Sequence, residues 1–250
     1  MEVVNHGGTG RTGGTARRLA FAVAVVALVA GCIGGPTVSG LASTAPIPSD
    51  GPLRYVALGD SFTIGTSVES AESWPSQLVA ALGEAPVRLE LVANLAVNGY
   101  TSGDVVTREL PGLRGLRPDF ATLLVGVNDV VRGVPEATYR RNLVLIFDAL
   151  LARLPATRLV VVTTPDYTVT PAGADYGDPA TKRAAIRANN EIITAFARAR
   201  GIAVVDISDL SMKAATDRSL VAKDGLHPSA LQYALWVERI LPVARQLLQP

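Results

Sequence analysis

Acid–base chemistry is easiest to build from Lys223-Asp224-Gly225-Leu226-His227-Pro228. The chain has two histidines, His6 and His227, and only His227 lies beyond the first fifty residues. A serine hydroxyl is a weak nucleophile until a neighbouring base takes its proton. An imidazole does that near neutral pH. A carboxylate three residues earlier, Asp224, is within reach of the ring in a turn and can fix its tautomer and stabilise the imidazolium. Ser61, in Gly59-Asp60-Ser61-Phe62, is the matching nucleophile candidate. Gly59 permits a tight turn behind a strand, and the Ser61 N–H can face a ligand. The segment is not the G-x-S-x-G elbow, since position 63 is Thr. Gly99 can present its N–H without a side chain in the way, and Asn128 can present an amide donor. With Ser61 N–H they make three donors for one developing oxyanion. Taken singly, each residue has a bland alternative: a turn serine, a turn histidine beside a capping aspartate, a loop glycine, an Asx turn.

These side chains need a scaffold that gathers them. Short β-branched runs alternate with amphipathic stretches from Arg54 onward. Strands are expected at 54–58, 87–94, 120–125, 158–163 and 202–205. Helices are expected at 74–82, 102–110, 136–154, 179–200 and 229–248, the last broken or kinked near Pro242. Continuous apolar strands separated by helices predict a parallel sheet covered on both faces. The expected fold is α/β: a single three-layer α/β/α domain with a five-stranded, flavodoxin-like parallel sheet. Ligands of such sheets bind at the carboxyl ends of strands, and the polar segments around Ser61, Gly99, Asn128, 165–179 and 224–227 all follow strands.

The first fifty residues read differently. Arg17 and Arg18 precede an unbroken apolar run of twelve residues, Leu19 to Ala30. That is too short for a spanning helix and has the pattern of a signal peptide. The run ends Leu28-Val29-Ala30-Gly31-Cys32, which resembles a bacterial lipoprotein processing site. Cys32 is the one cysteine of the chain, so it is the expected lipidation site. The competing reading is an ordinary secretory peptide cut after Ala45. Residues 1–32 are thus expected to be a signal peptide and 33–51 a flexible tether. The protein is expected to be exported and anchored to the cell membrane facing outside, or else secreted. One cysteine also excludes a disulfide framework and a multi-thiolate zinc site. The formal charge is +1. Removing residues 1–32 takes Arg11, Arg17, Arg18 and Glu2, which leaves −1, so no nucleic-acid partner is expected.

Four motifs together resemble one family. Gly59-Asp60-Ser61-Phe62, Asn94 to Thr101, Gly126-Val127-Asn128-Asp129 and Asp224-Gly225-Leu226-His227 occur in the order of the four blocks of the SGNH, or GDSL, hydrolases, over roughly residues 54–248. Phe62 stands where the eponymous motif has Leu. The resemblance implies a hydrolase domain over 52–250, a Ser61/His227/Asp224 triad, an oxyanion hole from Ser61, Gly99 and Asn128, and no metal or cofactor. It implies acyl transfer on carboxylic esters, the substrate being a small-molecule, glycan or lipid ester. Tyr167 and Tyr176, in the long segment after the fourth strand, are expected to flank the substrate. A monomer is expected. Two other readings stay open at this point: a metal-dependent phosphoesterase and a non-catalytic envelope module that binds glycans.

Overall fold

The computed structural model describes residues 51–83 and 87–249. The signal peptide, Cys32 and all but the last residue of the tether lie outside the described residues.

Five strands form one parallel sheet: β1 Leu53–Gly59, β2 Leu89–Asn94, β3 Phe120–Leu124, β4 Leu159–Val162 and β5 Ala203–Val205. Their order is β2-β1-β3-β4-β5. The chain therefore leaves β1 toward one side of the sheet and β3 toward the other. Loops that diverge in this way open a crevice at the carboxyl ends of the two strands.

Strand β1 shows why the sheet sits where it does. Tyr55, Val56, Ala57 and Leu58 are all fully buried, because side chains alternate to opposite faces and both faces are covered. Tyr55 and Ala57 join a core layer with Trp74, Leu78 and Leu82 of α1 (Trp74–Leu82) and Trp236 and Ile240 of the last helix. Val56 and Leu58 join the other layer, with Leu143, Ile146 and Phe147 of α2 (Glu136–Leu151) and Ile193 of α3 (Pro179–Arg198). The fold is the three-layer α/β/α domain that the sequence predicts.

Three local features differ from expectation. The last helix, α4 (Ala230–Leu248), is not broken at Pro242 but runs through it. Pro242 lies on the exposed side, where water can take the freed carbonyl. Trp236, Ile240, Ala244 and Leu248 meanwhile hold the opposite face in the core. The expected helix 102–110 is helical over 102–112, but Val105–Glu109 within it is a π-helical turn. Short helices at Val127–Val131 and Ser208–Met212 add to the five helices that the sequence pattern predicts.

The π turn aims Glu109 beneath the end of β1. Its Oε2 accepts a hydrogen bond from Gly59 N–H at 2.9 Å, and the residue is 2% exposed. Asp60, the next residue of the turn, is fully buried, and its Oδ1 accepts from Phe62 N–H at 3.0 Å. Burial pushes the Asp60 carboxyl up to about 8, against the Phe62 N–H and the Asn128 amide and with help from Asp129. Burial likewise pushes Glu109 up to about 9, opposed by the Gly59 N–H and helped by Asp60 and Asp104.

Both groups hold a proton in the folded state at a pH where the unfolded chain has lost it. Their contribution to stability is complete below the ordinary carboxylate range and is lost as pH rises through about 8 and about 9. Urea denaturation is expected to show stability falling between about pH 5 and about pH 9. Glu109→Gln keeps an acceptor for Gly59 and should flatten that slope; an unchanged slope in the variant would contradict the assignment.

Candidate active site

Ser61 begins a single helical turn, Ser61–Ile64, directly behind β1. Gly59 makes the turn possible: its φ is +150°, and a Cβ there would lie 2.2 Å from the Leu124 carbonyl of β3. Asp60 caps the turn through Phe62 N–H. At the other end Gly65, left-handed at φ +87°, returns its N–H to Ser61 O at 3.2 Å. Asn94, at the end of β2, donates to Thr63 O at 2.9 Å. The serine is thus fixed from both sides and is 7% exposed.

The acid–base loop is held as firmly. Gly225 takes φ +74°, and its carbonyl accepts from Ala172 N–H at 2.9 Å. Ala222 N–H donates to His227 O at 2.8 Å. Asp224 Oδ1 accepts from the N–H groups of Leu226 and His227 at 2.9 and 3.0 Å. Asp224 Oδ2 pairs with His227 Nδ1 at 2.6 Å and accepts from Ser67 Oγ at 2.6 Å. Partial desolvation pushes the Asp224 carboxyl up, but Ser67, the Leu226 N–H and the His227 ring and N–H outweigh it and hold it well below the usual carboxylate range. An ionised carboxylate only accepts, so the ring proton belongs on Nδ1 and the lone pair on Nε2. The Phe62 ring lies 5.1 Å from the imidazole, tilted by 50°.

Gly99 and Asn128 approach from the loops after β2 and β3. Gly99 has φ +79°, and its carbonyl accepts from Arg132 Nη2 at 2.7 Å. Asn128 Nδ2 donates to Tyr100 O at 3.0 Å, and the same amide acts on the Asp60 carboxyl, so it is held between the two. The two loops are tied together by Asp129, which accepts from Ser102 N–H and Oγ at 2.9 and 2.5 Å.

Ser61, Gly99, Asn128, His227, Tyr167 and Tyr176 line one cavity of about 220 Å³, and Asp224 stands behind the imidazole. Phe62, Val127, Val131 and Leu226 supply apolar wall. Ser61 Oγ and the His227 ring share the cavity without a hydrogen bond between them; such contacts commonly tighten only with substrate in place. Tyr167 is 3% exposed and belongs to the core, edge-on to Tyr176 at 5.9 Å. Tyr176 is 42% exposed and forms the rim. Among the described residues no group of three or more His, Cys, Asp or Glu is placed to hold a metal ion.

Sequence reasoning missed Ser67, Glu109 and Arg132. Nothing in their residue types or spacing marks them. Each acts through a turn geometry or a long-range approach that only the folded chain reveals.

Comparison with known proteins fits this geometry. The family model for GDSL-like lipases and acylhydrolases matches residues 57–235. An arylesterase of Vibrio mimicus is 32% identical over 90 residues, which is 36% of this chain and 44% of that protein, so the match spans less than half of its curated relative. Two solved structures share the fold. One is a member of the lipolytic protein G-D-S-L family from Veillonella parvula, with TM-score 0.62 and 18% identity, covering 77% of this chain and 98% of that one. The other is a catalytic mutant of an acetylxylan esterase from Geobacillus stearothermophilus, with TM-score 0.60 and 17% identity over 77% and 94% of the two chains. The structural likenesses carry the architecture, and the family match, which takes in the serine turn, the glycine and asparagine loops and the histidine, carries the kinship: this chain belongs to the GDSL-like lipase/acylhydrolase family.

Proposed function

We propose that the protein is a metal-independent serine esterase that cleaves carboxylic esters through an acyl-enzyme. The observation that carries this reading is the ionised Asp224 on His227 Nδ1, which leaves Nε2 basic in the cavity that Ser61 lines. Ser61 Oγ attacks the ester carbonyl and gives its proton to His227 Nε2. The carbonyl oxygen becomes an oxyanion facing Ser61 N–H, Gly99 N–H and the Asn128 side-chain amide. Collapse breaks the bond to the alcohol oxygen, which takes the proton from His227. Water, deprotonated by the same ring, then attacks the acyl-serine and releases the acid and Ser61. Base and oxyanion donors all come from the chain itself, so no step calls for a metal.

Cavity size speaks for a short acyl group. Pockets for drug-sized ligands run to ~300–1,000 Å³, and this one is about 220 Å³. The wall of Phe62, Val127, Val131 and Leu226 suits a small apolar acyl chain, whereas a long fatty chain would have to run out past Tyr176. The arylesterase and acetylxylan esterase relatives are consistent with that reading.

The same proposal takes the protein outside the cell. The basic pair Arg17-Arg18, the apolar run and Leu28-Val29-Ala30-Gly31-Cys32 favour export and a lipid anchor on Cys32. Stable anchoring would need two or more acyl chains.

Four outcomes are expected. Hydrolysis of p-nitrophenyl esters should survive a chelator. It should fall by about 10⁶-fold in Ser61→Ala and His227→Ala, and by about 100- to 1000-fold in Asn128→Ala; full turnover by a folded Ser61→Ala variant would refute the mechanism. Acetate and butyrate esters should be better substrates, by kcat/KM, than the palmitate ester, and the reverse order would remove the short-acyl reading. Mass spectrometry of the native amino terminus should find a diacylglyceryl group on Cys32. An unmodified terminus after Ala45 would replace the anchored form by a secreted one.

A further inference from the structure

Outside the four motifs, one side chain reaches the acid–base pair from another part of the chain. Ser67 Oγ donates to Asp224 Oδ2 at 2.6 Å across 157 residues. Its backbone is unusual as well. Among the described residues only two non-glycines have a positive φ, Ser67 at 68° and Arg117 at 42°. A left-handed conformation is disfavoured for a residue with a Cβ, and it persists where surrounding contacts hold it. Glycine would take the same φ without strain, but it would bring no hydroxyl.

We propose that Ser67 is a positioning residue for the acid–base pair, its strained turn holding the hydroxyl that locks the Asp224 carboxylate against His227. The proposal rests on the serine-esterase reading above and assigns to it a residue outside the family motifs.

The hydrogen bonds to Asp224 come from two separate parts of the chain. Both donors to Asp224 Oδ1, the N–H groups of Leu226 and His227, belong to the same loop as the aspartate. They shape that loop but do not register it on the nucleophile. Ser67 does. It sits in the turn that follows Ser61–Ile64, and both Gly65 N–H and Thr66 N–H donate to Ser61 O, at 3.2 and 3.1 Å. Thr66 Oγ1 donates to Asn98 Oδ1 at 2.6 Å, which ties the same turn to the loop of Gly99. A chain of contacts therefore runs from the Ser61 carbonyl through the turn to Ser67, then to Asp224 and on to His227 Nδ1. His227 in turn faces the cavity that Ser61 lines, so Ser67 sets the distance between the two halves of the machinery. Without the Ser67 hydroxyl, Asp224 Oδ2 keeps only the imidazole, and the carboxylate and ring can tilt together away from the nucleophile.

The test is steady-state kinetics and thermal unfolding of the full chain carrying Ser67→Ala or Ser67→Gly, beside wild type and Ser61→Ala. Losing a hydrogen bond to a charged group should lower kcat by about tenfold or more in both Ser67 variants, with KM within about twofold of wild type. Ser67→Gly should unfold at a temperature no lower than Ser67→Ala, because glycine relieves the left-handed strain. Activity and stability would then part company, which a purely structural serine would not produce. Wild-type kcat in either variant would overturn the proposal, as would recovery of kcat in Ser67→Gly alongside its stability. An inactive Ser61→Ala with wild-type-like Ser67 variants would remove the positioning role alone, whereas a fully active, folded Ser61→Ala would remove the esterase reading beneath it.

Discussion

Much of this site depends on how closely the end of β1 approaches the end of β3. The two strands are paired, with Gly59 opposite Leu124, and a Cβ on Gly59 would come within 2.2 Å of the Leu124 carbonyl. That closeness brings the serine turn and the Gly126–Asn128 segment to neighbouring positions at the point where the chain diverges. A larger residue at position 59 would wedge the strands apart and separate Ser61 from Asn128. The strands themselves are held by burial on both faces, so the approach is set by the core and not by the loops. Rigid placement of this kind is what lets a donor be aimed where charge will develop and not where it already is.

The carboxyls of the site divide by environment. Asp224 lies near the surface and accepts from four donors, so it is ionised across the working range of an enzyme. Asp60 and Glu109 lie buried under the serine turn, and burial outweighs the Phe62 N–H and Asn128 amide at Asp60 and the Gly59 N–H at Glu109. One kind of side chain thus serves as a charged partner for imidazole in one place and as a largely protonated acceptor for backbone N–H in the other. The second arrangement keeps negative charge away from the developing oxyanion. A fully ionised pair beneath Ser61 would work against the donors above it.

Legibility in the sequence followed the range of the interactions. The alternation of strands and helices was readable because burial on both sheet faces writes itself into continuous apolar runs such as Tyr55 to Leu58. Ser61, Asn128 and the Asp224–His227 pair stand out in the sequence because each lies within a few residues of a strand end or of its partner, and the fold brings Ser61, Asn128 and His227 to one cavity. At Pro242 the helix does not break, because the local cost of the lost hydrogen bond is outweighed by a buried helix face that only the tertiary fold supplies. The π turn at Val105–Glu109 was invisible for a related reason: one extra residue per turn leaves no mark on composition, yet it decides which side chain points under β1. Ser67 was the hardest to see. Its value lies in a positive φ and a contact 157 residues away, and neither is encoded in its immediate neighbours.

Phe62 shows how the same position can look indifferent in sequence and matter in space. It stands where the family's eponymous motif has leucine, and it is not a reacting group. In the folded chain it is 4% exposed, lines the cavity and lies 5.1 Å from the imidazole. Its ring is carried by the same helical turn as Ser61, so its contact with the imidazole joins that turn to the His227 loop through apolar surface, beside the polar link from Ser67 to Asp224. The same side chain also forms part of the apolar wall of the cavity. A position that is no reacting group thus touches both the ring and the space in front of it, because burial at the end of β1 leaves it nowhere else to pack.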